Sequence, residues 1–341
     1  MTFDKFGYCV GPLGRLALYK FRSYIRVKWK CKTCNVLMCN NCKSREHSNK
    51  GHQTINLRYH ERKITDVKKC EYNLKFVRIL AVSGEHSLWI GNGCQSKNMY
   101  HPTSLQCTKV GDTLTVISSF NMVVKDIAVT TDNYLLLATG KSTLKQIRAG
   151  SSKVTDSIYY VESSELCSVH VEENGRVIVG GYELVVTMNT KGVHCKRYDY
   201  DEDFKPLVKS YSRALTSTGN GNIFVIDGID VDRVAILGEK GIIGIYSGPS
   251  TVTGEDIIFN PQSVVTTSLD NVIVADYHDK LHILDNRGYL LTKYDTKDIG
   301  ISYPLSLAIT TEGTFSVLYI GCYKKDTVIN APLYKMCITG F

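Results

Sequence analysis

From Val77 to Phe341 the chain sets short apolar runs against tight turns at a regular interval. Each unit opens on alternating apolar positions, turns at an acid, Asn or Gly, and resumes with a continuous apolar run. The six turns read SGEHSLWIG, TTDNYLLLA, EENGRVIVG, TGNGNIFVI, TSLDNVIVA and TTEGTFSVLYIG. With Glu85, Asp132, Asn174, Gly221, Asp270 and Glu312 as markers, the spacing is 47, 42, 47, 49 and 42 residues. Asn and Gly tolerate the positive φ that a tight hairpin demands, and the β-branched run after each turn suits a buried strand. Repeating units of this length, each with several short strands, are the mark of propeller blades. The pattern therefore predicts a mostly β fold, a six-bladed β-propeller over 77–341, with under a tenth of it helical. The closing PLYKMCITGF reads as a third strand. The outer strand of the last blade is then expected from around Ile64–Cys70, closing the ring and removing its exposed edges.

Upstream of the repeats the pattern gives way to chemistry. Cys31 to His52 reads C-x2-C-x4-C-x2-C-x4-H-x4-H, four cysteines and two histidines close together. A C-x2-C turn aims two thiolates at one ion, and tetrahedral zinc takes thiolates and imidazoles in such pairs. A disulfide cluster would leave both histidines without a purpose. Six donors exceed the four that one zinc needs and fall short of the eight that two need.

The spacing and the tail HSNKGHQ resemble the second half of a B-box zinc finger of the tripartite-motif family. That resemblance implies a cross-brace, with ligand pairs one and three on one zinc and pairs two and four on the other. Cys31, Cys34, His47 and His52 would then hold the main zinc. Cys39 and Cys42 would belong to a second site that lacks its first pair, Cys9 being the only cysteine upstream. A rival arrangement, favoured by proximity along the chain, joins Cys39 and Cys42 to the two histidines. In the later repeats, residues 225–246 and 274–294 resemble NHL repeats. The whole looks like an invertebrate-type B-box/propeller relative with neither the RING nor the coiled coil of the full family pattern. The expected organisation is an atypical N-terminal segment (1–30), a partly degenerate B-box zinc finger lacking its first pair (31–56), a short linker and closing strand (57–76), and the propeller (77–341).

Charge and composition refine this picture. Residues 1–76 carry 17 Lys/Arg against 5 Asp/Glu, whereas the remainder is net −4. A basic end invites nucleic acid or an acidic surface, and it equally suits the solvated face of a small zinc module. No run approaches the length of a membrane-spanning helix, so no membrane is expected among the partners. Residues 1–30 lack a signal-peptide core. Eight cysteines lie scattered outside the cluster, a pattern of reducing compartments, and the expected location is cytoplasmic.

Catalytic motifs are missing from the sequence: there is no G-x-S-x-G, no P-loop and no H-E-x-x-H. Asp126, Glu85, His170 and Asp276 sit at different places in their repeats and read as turn caps and loop residues. His278 and His282, at alternate-strand spacing in blade five, read as core or surface histidines. The expected catalytic set is empty. The reading is a zinc-binding interaction adaptor whose propeller loop face takes a protein partner. The alternatives are an accessory role in a ubiquitin-ligase pathway through a RING-bearing family member, and an RNA-binding NHL propeller. RNA would need Lys and Arg clustered on one propeller face.

Overall fold

A computed structural model of the chain describes, before residue 63, the backbone of five short strands. From 63 onward it describes all residues except 75, 85–86, 94–102, 112–113, 149, 202, 229–231, 250–258, 313–314 and 326–329. The chain divides into two compact units at residue 63.

In the first unit Thr2–Phe3 pairs antiparallel with Cys9–Val10. A second, three-stranded sheet has Trp29–Cys31 at its centre, with Leu37–Met38 on one side and Thr54–Asn56 on the other.

The second unit is six four-stranded antiparallel sheets, each a blade. The innermost strands are Ile79–Ser83, Asp126–Val129, Ser168–Val171, Ser212–Ser217, Pro261–Thr266 and Pro304–Glu312. Each lies beside the next, and the sixth lies beside the first, so the blades form a closed ring. Five blades take their strands in chain order. The sixth runs Pro304–Glu312, Phe315–Cys322, Ala331–Thr339 and then Lys63–Tyr72, so its outermost strand comes from the N-terminal side, as expected. Among the described residues the only helical element is a 3-10 turn at Lys297–Ile299.

The continuous apolar runs are the second strands, and their period explains why every position is apolar. Side chains alternate between the two faces of a strand, and here both faces meet a neighbouring blade. Leu135 and Leu137 enter the core between blades one and two, while Leu136 and Ala138 enter the core between blades two and three. Phe224 and Ile226 face blade five, Ile223 and Val225 face blade three. Six apolar clusters result, one at each seam of the ring. Outer strands alternate exposed and half-buried residues, as in Leu290–Asp295.

Four of the turns share one geometry. In Thr130–Tyr134 the N–H of Thr130 donates to the carbonyl of Tyr134, and the N–H of Asn133 donates back to Thr130. The same pair of bonds closes the turns at Glu172, Thr218 and Thr267, and the fourth residue (Asn133, Gly175, Gly221, Asp270) has positive φ. These are hairpins with a left-handed residue at the bulge position. In blades two and three that residue falls one position after the sequence marker.

Polar links tie the inner strands across five seams. Ser306 Oγ donates to Val77 O (2.7 Å), and Val169 N–H to Asp126 Oδ2 (2.9 Å). The hydroxyls of Ser168 and Ser212 pair at 2.6 Å, Arg213 Nη1 donates to Pro261 O (2.7 Å), and Leu307 N–H to Ser263 Oγ (3.0 Å). Gly180 and Gly321 make room for two of these. A Cβ on Gly180 would collide with both Ser168 and Ser212, and one on Gly321 with Ser306 and Val77.

Candidate metal centre and channel mouth

Of the predicted ligands, Cys34, Cys39, Cys42, His47 and His52 lie outside the described residues. Cys31 ends the central strand of the small sheet, where its Cα partner is Thr54, two residues along the chain from His52. Strand pairing therefore brings the chain just beyond the last donor back to the first donor. The donor set, thiolates with imidazoles, is the one zinc prefers. Six donors complete one tetrahedral site with a pair left over.

In the propeller, Glu85 also lies outside the described residues. Asp126 is the first residue of blade two's inner strand, His170 the third of blade three's, and Asp276 the last of blade five's second strand. His278 falls in the turn that follows, not on a strand, so the alternate-strand reading of His278 and His282 is corrected: the turn interrupts the period. The fold joins two residues that looked unrelated in sequence. Asp276 Oδ2 lies 3.3 Å from His282 Nε2, and His282 Nδ1 lies 2.7 Å from the Tyr246 hydroxyl. Both Asp276 and His282 are 1% exposed. Burial pushes the Asp276 carboxyl up, but hydrogen bonds from His282 and from the N–H groups of His278 and Asn260 outweigh it and hold the group below its ordinary range.

Blade four repeats the device. Asp227 ends its second strand, accepts from the N–H groups of Lys209 and Ser210, and pairs with buried Arg233 at 2.7 Å. The Asp that ends each of these apolar strands thus ties down the segment leading into the inner strand. Its cationic or imidazole partner, six residues on, keeps it satisfied in the core. Among the described residues no group of three or more His, Cys, Asp or Glu is placed to hold a metal ion.

The end of the channel where the inner strands begin has a different character. The second strand of each blade finishes there, so residues just before a first strand meet residues just after a second strand. Phe76 stacks on Tyr323 (5.1 Å between centroids), and tilted ring contacts continue from Tyr323 to Tyr303 (6.0 Å) and from Tyr303 to Tyr277 (5.2 Å). Arg78 Cζ lies 5.3 Å from the Phe76 ring centroid. Arg213, second in blade four's inner strand, donates to Pro261 O and to Asn260 Oδ1 (3.4 Å). Burial lowers the Arg78 pKa, and the nearby charge of Arg213 lowers it further. None of these residues stood out in sequence. The available signal was positional: a residue flanking an inner strand points toward the channel mouth.

The comparisons agree with this two-part architecture. Residues 25–57 match the B-box zinc finger, a zinc-binding module, so zinc is this segment's metal. Among solved structures the chain is similar to a streptogramin B lyase, at 9% identity over 80% of this chain and 98% of that one, with a TM-score of 0.52. It is also similar to a protein of unknown function from Bacteroides caccae, at 14% identity over 72% of this chain and 81% of that one, with a TM-score of 0.46. Comparison with curated proteins finds no match. At 9% identity, the likeness to the lyase speaks for the propeller fold alone. The class is thus defined: a B-box zinc finger followed by a six-bladed β-propeller. No described helix is long and apolar enough to cross a membrane.

Asp126 offers a direct check on the inner ring. Burial raises its pKa to about 7, against the pull of N–H bonds from Val169 and Ile127. A folded pKa above the unfolded value of about 3.9 gives a contribution fully present below pH ~4 and lost as pH rises through about 7. Asp126→Asn cannot ionise, so relative to wild type it should gain about 3 kcal/mol between pH 5 and pH 8, at ~1.4 kcal/mol for each pH unit up to the folded pKa. Urea unfolding of both proteins at the two pH values measures this, and a pH-independent difference contradicts it.

Proposed function

We propose that this chain is a zinc-stabilised adaptor that holds protein partners through its propeller, resembling B-box/NHL members of the tripartite-motif family, and that it is not itself an enzyme. The observation that carries the reading is the joining of two modules in one chain, a B-box match at 25–57 and a closed ring of blades. A ring of this kind is a rigid scaffold that presents loops from every blade on one face, and such loops are where recognition concentrates. The buried carboxylate–imidazole–phenol chain of Asp276, His282 and Tyr246 has a stabilising role, because a group 1% exposed cannot reach a substrate. Described lysines on the propeller are interleaved with acids, as in Lys125–Glu165, Lys145–Asp156 and Lys280–Asp295. That interleaving favours a protein partner over a phosphate backbone, which needs an unbroken basic track.

Within the B-box, the proposed ligand set is Cys31, Cys34, His47 and His52 for one zinc, with Cys39 and Cys42 forming a separate pair. When bound, zinc supplies the folding free energy that so short a segment cannot draw from a core, on the order of 10 kcal/mol. Metal quantification on single variants is expected to show the main zinc lost in Cys34→Ser and largely kept in Cys42→Ser. The reverse result assigns the histidines to Cys39 and Cys42.

The adaptor reading is tested by cross-linking the full chain in cell extract and identifying what it captures. Protein partners that persist after ribonuclease treatment are expected. Capture abolished by ribonuclease would replace the reading with RNA binding. Ubiquitin transfer by the purified chain with a conjugating enzyme would replace it with a ligase.

A further inference from the structure

Two guanidinium groups, those of Arg78 and Arg213, lie at the channel mouth with no ion-pair partner among the described residues. Arg78 precedes the inner strand of blade one and Arg213 lies at the start of that of blade four, and in a ring of six these blades stand opposite. Arg213 is near enough that its charge acts on Arg78. Arg78 Nε is shut off from solvent and has no hydrogen-bond partner among the described residues. The described groups that favour its charge are the phenols of Tyr211 and Tyr277, and no described carboxylate is among them. A buried donor left unpaired is costly, and two like charges in a partly desolvated mouth repel. An anion seated between them relieves that repulsion.

Three other cations near this mouth are already committed among the described residues. Lys125 lies 3.8 Å from Glu165, Lys297 3.0 Å from Asp279, and Lys324 3.4 Å from Glu71. Among the described residues the half-buried unneutralised charge is this arginine pair, while Lys141, Lys209 and Lys325 are exposed. A nucleic-acid backbone, with a phosphate on every residue, calls for a stripe. A planar guanidinium fork fits a carboxylate in two parallel hydrogen bonds. The ring run from Tyr277 through Tyr303 and Tyr323 to Phe76 crosses blades five, six and one and ends beside Arg78. It supplies an aromatic wall of mutually tilted rings, suited to apolar side chains flanking an acid.

We infer that the channel mouth captures an acidic segment of a protein partner, with an Asp or Glu carboxylate held between Arg78 and Arg213 and its neighbours laid on the tyrosine run. This rests on the adaptor reading and names the chemistry of the partner.

The test is fluorescence anisotropy on the full chain with labelled hexaglutamate, with hexaglutamine and a short oligouridylate as comparators. Hexaglutamate should bind, more weakly as salt rises, and hexaglutamine should not. Arg78→Met and Arg213→Gln should each weaken binding about tenfold, the scale of one lost charge-assisted bond. Lys191→Gln, in an exposed turn on the far face, should leave binding unchanged. Arg78→Lys keeps the charge without the fork and should lose less than Arg78→Met, which separates recognition from a folding defect. Equal binding by wild type and both arginine variants overturns the inference, as does failure to bind hexaglutamate or tighter binding of oligouridylate. A chain that captures the same proteins from extract with or without its two arginines also overturns it, while the adaptor reading stands. If hexaglutamate binds through the arginines but no protein is captured, the adaptor reading fails and the anion site remains.

Discussion

The second strand of every blade is buried on both faces, and this makes ring closure the condition for all the rest. A blade with no neighbour on one side would present half of its second strand to water. Each of the six clusters is shared by two blades, so none is complete within one repeat. The seam between blades six and one shows the constraint at its sharpest. Tyr72 and Leu74 from one side of the repeats join Ala331 and Leu333 from the other, packed against Leu88 and Ile90. Ile64, in the same closing strand, packs on the cluster between blades five and six. One strand, Lys63–Tyr72, thus seals the sheet edge and takes part in cores on both sides.

That architecture could be read from the chain because its physics is periodic. A run such as LLLA or VIVA has no polar face, so it belongs where both faces are covered, and its recurrence sets the number of blades. The closing strand followed from a last unit that ended one strand short. What stayed hidden was pairwise and long-range. Asp276 and His282 are six residues apart with a turn between them, and only the folded hairpin makes them partners. Arg78 and Arg213 belong to opposite blades, and no local pattern marks their approach. The zinc finger was legible for the opposite reason, since its mark is the spacing of candidate donors within a single short stretch.

The same closure has a consequence for recognition. Polar links at five seams, all near the beginnings of the inner strands, hold that end of the ring in register. Arg213 takes part in one of them and is thereby fixed in place, with its neighbour Tyr211 hydrogen-bonded through its carbonyl to Gly228. Charges placed by a rigid ring lose little entropy on binding, so two of them can matter more than many mobile lysines on the rim. The zinc finger adds a module whose stability comes from metal and not from a core, and its loss should leave the ring intact.

The dependence on closure is tested most directly by thermal unfolding of the full chain against a chain that begins at Asn73 and so lacks the closing strand. At about 2–4 °C per kcal/mol for a domain of this size, losing a whole ladder and its burial should lower the propeller transition by about 10 °C or more, with blade six losing its hydrogen-exchange protection first. An unchanged midpoint with blade six still protected would contradict the account.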